Sequence, residues 1–483
     1  MILTKKKSNI DQTQLTSIIL GLFPISFIFG NLITNINILL FCFLGIFLLR
    51  SKILETKFNL PIKVIFLFFL SIFFSTCISF ARAYYLEEYE SYDLTKLLKS
   101  LAFFRFFLLI LIIYLLNSLN LLNFKFFFIS ASLAPFLISL DVIYQYIFGF
   151  DIIGLKSLGT YNSSFFGDEL IAGGYIKGFA FFSIVFSSFI FKEKIFVRFI
   201  FTLLAVSILG TGILLSGNRM PFVLFLMGLF LFFLINKNLR FSILSGLLLL
   251  LLIFIFISSS NSGIKEKYTS YINNTQHILL TTLGISKKIK PETILREEKS
   301  TKSDDLDIKE NEFEIFKKPP KWDKNKALAD DFEFFWIYKV NAELDHHTKL
   351  FNTALNVWKK NKIFGNGIKS FREDCKQFLI FQEYGLCSNH PHNYYLEILT
   401  EAGIVGLSLS MLIGLLFIIF VFKNFKILRN SNLDNLIFLA IVISIILEVF
   451  PFKSTGSIFS TSNMTYLALI ASILLSYRRK LDI

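Results

Sequence analysis

Long apolar runs separated by short polar breaks make up most of the chain. Runs at 15–31, 33–49, 62–80, 101–118, 125–148, 171–191, 196–216, 219–235 and 240–258 follow one another closely, and three more close the sequence at 397–422, 434–452 and 459–476. Each approaches the roughly twenty residues that cross a bilayer core as an α-helix. The pattern predicts an all-α, polytopic integral membrane protein of about 12 transmembrane helices. The breaks near 32 and 218 are short enough for neighbouring runs to merge, so the count is about ten to twelve. Between 258 and 397 the pattern changes. The middle of this stretch, 286–330, mixes Lys and Glu with Pro319-Pro320 and few apolar residues, and reads as a flexible insertion. Its flanks read as helices, at 332–340 and at 346–362, where Leu350, Ala354, Leu355 and Trp358 share a face. The expected organisation is transmembrane helices 1–9 over 1–258, a loop domain over 259–396, and transmembrane helices 10–12 over 397–483.

Composition agrees with this. Hydrophobic residues are 54% of the chain, charged residues 17%, and mean hydropathy is +0.62. The charge of +14 follows the spans. If Lys5–Lys7 are cytoplasmic, alternating spans bring Arg50, Lys52, Lys57, Lys63, Lys125, Lys192, Lys194, Arg198, Lys237, Arg240, Lys423, Lys426, Arg429, Arg478, Arg479 and Lys480 to that same side. The acidic stretch with Glu87, Glu88, Glu90 and Asp93 falls on the opposite side. Both termini are therefore expected in the cytoplasm and the 259–396 loop outside it. The basic balance reflects topology and gives no reason to expect a nucleic-acid partner. No cleavable signal peptide is expected, because a second apolar run follows the first at once.

Cysteine usage adds one constraint. Cys42 and Cys77 fall within spans and read as apolar packing residues. Cys375 and Cys387 lie in the outer loop, where oxidation is permitted. A disulfide between them would close a loop of about a dozen residues and contribute about 3 kcal/mol in the chain-entropy model. A zinc site built from Cys375, Cys387, His390 and His392 is the alternative, though the spacing does not match the usual paired-ligand patterns.

The polar residues beside spans carry the candidate chemistry. Ser388-Asn389-His390-Pro391-His392-Asn393-Tyr394-Tyr395-Leu396-Glu397 leads through Glu401-Ala402-Gly403 into an apolar run. Pro391 suits the first position of a helix, with Asn389 or His390 as cap. Spacings of three, four and four then put His390, Asn393, Glu397 and Glu401 on one face. A helix start favours a bound anion, and a histidine there can take a proton or hold a phosphate oxygen. Ser216-Gly217-Asn218-Arg219-Met220-Pro221 predicts a tight hairpin between two spans, with Arg219 at the outer boundary, either as an anchor or as a fork for a diphosphate. Arg105 and Lys177 fall inside spans near their outer ends, and an intramembrane cation is a functional candidate by default. Glu448 is a further intramembrane charge, with Lys453 or another cation as its partner.

At these residues the sequence resembles a known family. His390-Pro391-His392-Asn393-Tyr394-Tyr395-Leu396-Glu397, then Glu401-Ala402-Gly403 and Gly406-Leu407, is similar to the signature of the O-antigen ligase and O-antigen polymerase superfamily. Phe364-Gly365-Asn366-Gly367 with Phe371 resembles the segment that precedes it, and Ser216-Gly217-Asn218-Arg219 resembles the family's arginine at a span end. The resemblance implies a glycosyltransferase without metal or other cofactor, acting at the periplasmic face of the bacterial inner membrane. Its donor would be a glycan on undecaprenyl diphosphate. Its acceptor would be lipid A–core for a ligase, a second lipid-linked chain for a polymerase, or protein in a third branch. His392 would be the catalytic or phosphate-contacting histidine, with His390 as its alternate, Glu397 or Asn393 orienting the imidazole, and Arg219 holding the diphosphate. The family commonly carries an arginine before the helix that precedes the motif. Here His346-His347-Thr348-Lys349 stands in that place, so Lys349 or a histidine would have to substitute. A lipid-glycan flippase is the reading from another class, but the charges gather towards one face rather than at mid-membrane.

Overall fold

The computed structural model describes residues 10–50, 58–85, 94–167, 169–191, 194–270, 346–381, 386–430, 432–454 and 456–481. Among these residues the chain is helical and contains no strand. The helices are α1 (Ile10–Gly21), α2 (Phe23–Ile28), α3 (Gly30–Leu49), α4 (Leu60–Tyr85), α5 (Leu94–Ser118), α6 (Lys125–Phe148), α7 (Ala172–Ile190), α8 (Ile195–Leu215), α9 (Arg219–Ile235), α10 (Arg240–Ser260), α11 (His346–Lys359), α12 (Phe371–Asp374), α13 (Tyr394–Lys423), α14 (Phe425–Leu428), α15 (Leu433–Glu448) and α16 (Thr461–Leu481). Eight are long and apolar enough to cross a membrane: α3 to α8, α13, and α10 with the short turn before it. α9 and the α1–α2 pair are apolar but shorter. The expected run at 15–31 is thus two helices, with Pro24 in the first turn of the second. Of the expected loop helices, 346–362 appears as α11, whereas 332–340 and the insertion 286–330 lie outside the described residues.

The chain divides into two units, residues 1–264 with 335–483, and residues 265–334. Within the first, lipid-facing and protein-facing helix surfaces are easily told apart. Leu39, Phe43 and Phe47 on α3, and Leu248, Leu252 and Phe256 on α10, are exposed at intervals of four, as a lipid-facing stripe requires. α7 is different, being enclosed by α6, α8, α9 and α15. With no water to drive helices together in lipid, close contact depends on small residues and on hydrogen bonds between helices. Ser132 Oγ donates to Phe182 O at 3.1 Å and Ser183 Oγ returns to Ser132 O at 2.7 Å, which joins α6 to α7. Gly228 on α9 lies so close to Phe181 of α7 that a Cβ there would collide with the ring. This packing fixes the starts of α7 and α9 side by side.

Candidate active site

The start of α13 differs from the expectation. The helix begins at Tyr394, and its cap is Asn393, whose Oδ1 accepts from the N–H groups of Tyr395 at 3.0 Å and Leu396 at 3.2 Å. His392 precedes it with φ 55°, in the left-handed region, so the chain cannot be helical there. Pro391 therefore lies before the helix. An asparagine that satisfies two orphan donors outweighs the helix-start preference of the proline. His390 and Asn393 consequently do not continue a helical face with Glu397 and Glu401. Asn393 is occupied twice over, since its Nδ2 also donates to Pro451 O at 2.8 Å. The turn instead brings imidazoles together: His392 is 4.3 Å from the ring of His390 and 5.8 Å from that of His347, at the start of α11.

Neither glutamate of the motif faces a histidine. Glu397 is buried and accepts from Ser457 Oγ at 2.5 Å and from Ile458 N–H at 2.8 Å, which ties α13 to the loop before α16. The expected role of Glu397 in orienting an imidazole is not what its hydrogen bonds serve. Glu401 Oε2 accepts from the N–H of Lys369 at 2.6 Å, and its carbonyl accepts from Ser75 Oγ at 2.5 Å and Gly367 N–H at 2.9 Å. α13 breaks at Gly403, with φ 65° and ψ −164°. Segment 362–367 fills the gap: Asn366 N–H donates to Thr400 O at 3.0 Å, Ile404 N–H to Lys362 O at 2.9 Å, and Val405 N–H to Ile363 O at 3.2 Å. A Cβ on Gly403 would strike Ile363, and one on Gly365 would strike Glu401. The two glycine-bearing motifs thus splice a broken helix.

The described residues enclose a cavity of about 630 Å³. Its walls include Arg219, Lys177, Lys453, Glu448 and His392. The first turns of α7, α9 and α16 all open onto it. Helix starts carry partial positive charge and unpaired N–H groups, so three of them around one space favour an anion. Gly217, at φ 79°, turns α8 into α9, and Asn218 Nδ2 ties the turn to Leu170 O at 2.6 Å. Arg219 is placed by that turn.

The cavity's buried ions form one network. Lys177 Nζ donates to Glu448 Oε2 at 2.6 Å, and Lys453 Nζ donates to Glu448 Oε1 at 2.5 Å. Tyr394 Oη donates to Glu448 Oε1 at 2.8 Å, and the Lys453 ammonium lies 5.0 Å from the Tyr394 ring centre. Two cations therefore share one carboxylate. Burial, only partly offset by Glu448 and reinforced by Lys177, pushes the Lys453 ammonium down to about 8.

The remaining candidates do not line the cavity. Arg105 donates to Asn35 Oδ1 at 3.1 Å, Thr461 Oγ1 at 3.3 Å and Ala102 O at 2.7 Å, and is not part of the cavity wall. Lys349 sits on α11, also outside the wall. Cys375 and Cys387 are joined as a disulfide with their Cα atoms 5.1 Å apart, so the zinc alternative loses both thiolates. Sequence reasoning missed Lys453 as a wall residue and His347 as a third imidazole. For Lys453 the available signal was its place five residues after an intramembrane glutamate.

Together these features define a multi-pass, all-α membrane protein with an anion-favouring cavity where several helices begin. Residues 204–411 match the family model described as O-antigen ligase, so this part of the chain is similar to the O-antigen ligase and polymerase superfamily. The matched stretch contains Arg219 and His392; Lys177, Glu448 and Lys453 fall outside it. No curated protein matches the chain.

Proposed function

We propose that this enzyme of ligase/polymerase type is a ligase that moves a glycan from undecaprenyl diphosphate to lipid A–core at the periplasmic face of the bacterial inner membrane. The observation that carries the reading is that Arg219 and His392 line one cavity. Orientation has support in charge: helices that start at the cavity lead to basic segments, such as Lys237 and Arg240 after α9 and Arg478, Arg479 and Lys480 at the end of α16.

In this reaction the bond between the anomeric carbon and the phosphate oxygen breaks, and a bond from that carbon to an acceptor hydroxyl oxygen forms. The hydroxyl proton passes to His392, and the lipid diphosphate leaves with one more negative charge. Arg219, presenting a planar fork, holds the diphosphate and stabilises the charge as it develops. Side-chain and helix-start charges supply this neutralisation, and the proposed mechanism routes no step through a metal.

The test is a lipopolysaccharide gel from a strain lacking the gene, complemented with wild type, His392→Ala or Arg219→Met. The ligase reading predicts bare core and accumulated lipid-linked polymer for the empty strain and both variants. Core capped by a single repeat would instead assign polymerase activity, and an unchanged ladder in the deletion strain would end the reading.

A further inference from the structure

The shared carboxylate at the base of the cavity has a consequence for substrate binding. Glu448 accepts from Lys177 on one oxygen and from Lys453 and Tyr394 on the other. The side chains of Lys177 and Glu448 are 4% and 5% exposed, and that of Lys453 is 10% exposed. One negative charge thus serves two positive ones in a largely desolvated place. A buried charge without a full counter-charge is costly, so the network has an unmet demand for an anion.

Of the two lysines, Lys177 is carried by α7, a helix packed against α6, α8, α9 and α15 that meets the cavity with its first turns. Lys453 stands in the loop between α15 and α16, beyond the end of the helix that carries Glu448. Both ammonium groups line the cavity, and Lys453, on a loop and 10% exposed against 4% for Lys177, has the more room to turn towards it. If it does, Glu448 keeps Lys177 and Tyr394, so the departure strands no charge.

We propose that Lys453 is a second diphosphate-binding residue, carried by Glu448 and passed to the phosphate oxygens of a polyprenyl diphosphate when the substrate enters. The inference rests on the reading of the cavity as a lipid-diphosphate site. Glu448 is then a competitor for Lys453 rather than a substrate contact. Its carboxylate reclaims the lysine as product leaves, which limits how tightly the more highly charged leaving diphosphate is held.

The test is binding of farnesyl diphosphate, a short soluble polyprenyl diphosphate, to the purified full-length protein by isothermal titration calorimetry. Lys453→Met leaves Lys177 and Glu448 as a one-to-one pair, so folding should persist. The variant should weaken binding by about tenfold or more, the loss expected for one charge-assisted hydrogen bond, while Lys453→Arg should stay close to wild type. Glu448→Gln, measured on protein that remains monodisperse, should bind more tightly than wild type. Unchanged binding in Lys453→Met, or weakened or unchanged binding in Glu448→Gln, would overturn the proposal. Arg219→Met separates the two failures. If it abolishes binding while Lys453→Met does not, only this inference falls. If neither variant affects binding, the reading of the cavity falls with it.

Discussion

Glu397 and Ser457 are joined by a hydrogen bond of 2.5 Å, which fastens the histidine-motif helix to a loop sixty positions further along the chain. That loop supplies part of the cavity wall, and Ile458 N–H gives the same carboxylate a second donor at 2.8 Å. The motif's carboxylate therefore shapes the site by holding its wall.

This role separates two outcomes. Glu397→Gln should keep at least about a third of the transfer activity, because an amide oxygen still accepts from Ile458 while its NH₂ group donates to Ser457. Glu397→Ala leaves buried donors without their acceptor, at about 1–3 kcal/mol, and should lower both thermal stability and activity. A charge-based role towards His392 would make the Gln variant as inactive as Ala. Transfer assays on membranes with matched protein levels distinguish the two.

Arg219→Lys should lose most of the transfer rate, about tenfold or more, with normal abundance. Lysine keeps the charge but not the planar fork. Activity near wild type would make Arg219 a boundary anchor. The measurement is the initial rate of glycan transfer in membranes at fixed donor.

Gly403→Ala should destabilise the protein by more than an ordinary surface substitution. The positive φ alone costs about 1–3 kcal/mol, and the new Cβ meets the Ile363 backbone. A lower melting temperature in detergent is the readout, and Gly414→Ala, where a Cβ meets nothing, serves as the control.

A pH dependence follows from Lys453, whose ammonium burial pushes down to about 8. The lysine is a cation below that value and neutral above it, and the proposed diphosphate ligand is an anion. Diphosphate binding should be complete below about pH 8 and fade as pH rises through it. The groups facing Lys453 are Glu448 and Lys177, with Tyr394 beneath, and none of these replaces the lost charge. Because a bound anion favours the charged lysine, the fall should appear in kcat/KM before kcat. Lys453→Arg should remove it.

The apolar runs made nearly every helix legible, because a bilayer core demands about twenty apolar residues whatever they pack against. Arg219, Lys177 and His392 were legible as polar residues placed against that background, and the structure brings all three to one cavity. What the pattern hid was pairing. Asn393 beat Pro391 as the organiser of the helix start through hydrogen bonds that periodicity does not record. Glu397 meets Ser457, and Lys177 meets Glu448, across contacts with no local signal in the sequence. Arg105 was singled out for being an arginine in a span, but it does not line the cavity; it is engaged by Asn35 and by Thr461 at the start of α16.

The most direct test of the central claim is a cryo-EM structure of the full-length protein in lipid nanodiscs with a polyprenyl diphosphate bound. The account predicts phosphate density in the cavity, with the Arg219 guanidinium and the His392 imidazole both within hydrogen-bond reach of it. Density for the diphosphate at another surface, or in the cavity but contacting neither residue, would contradict it.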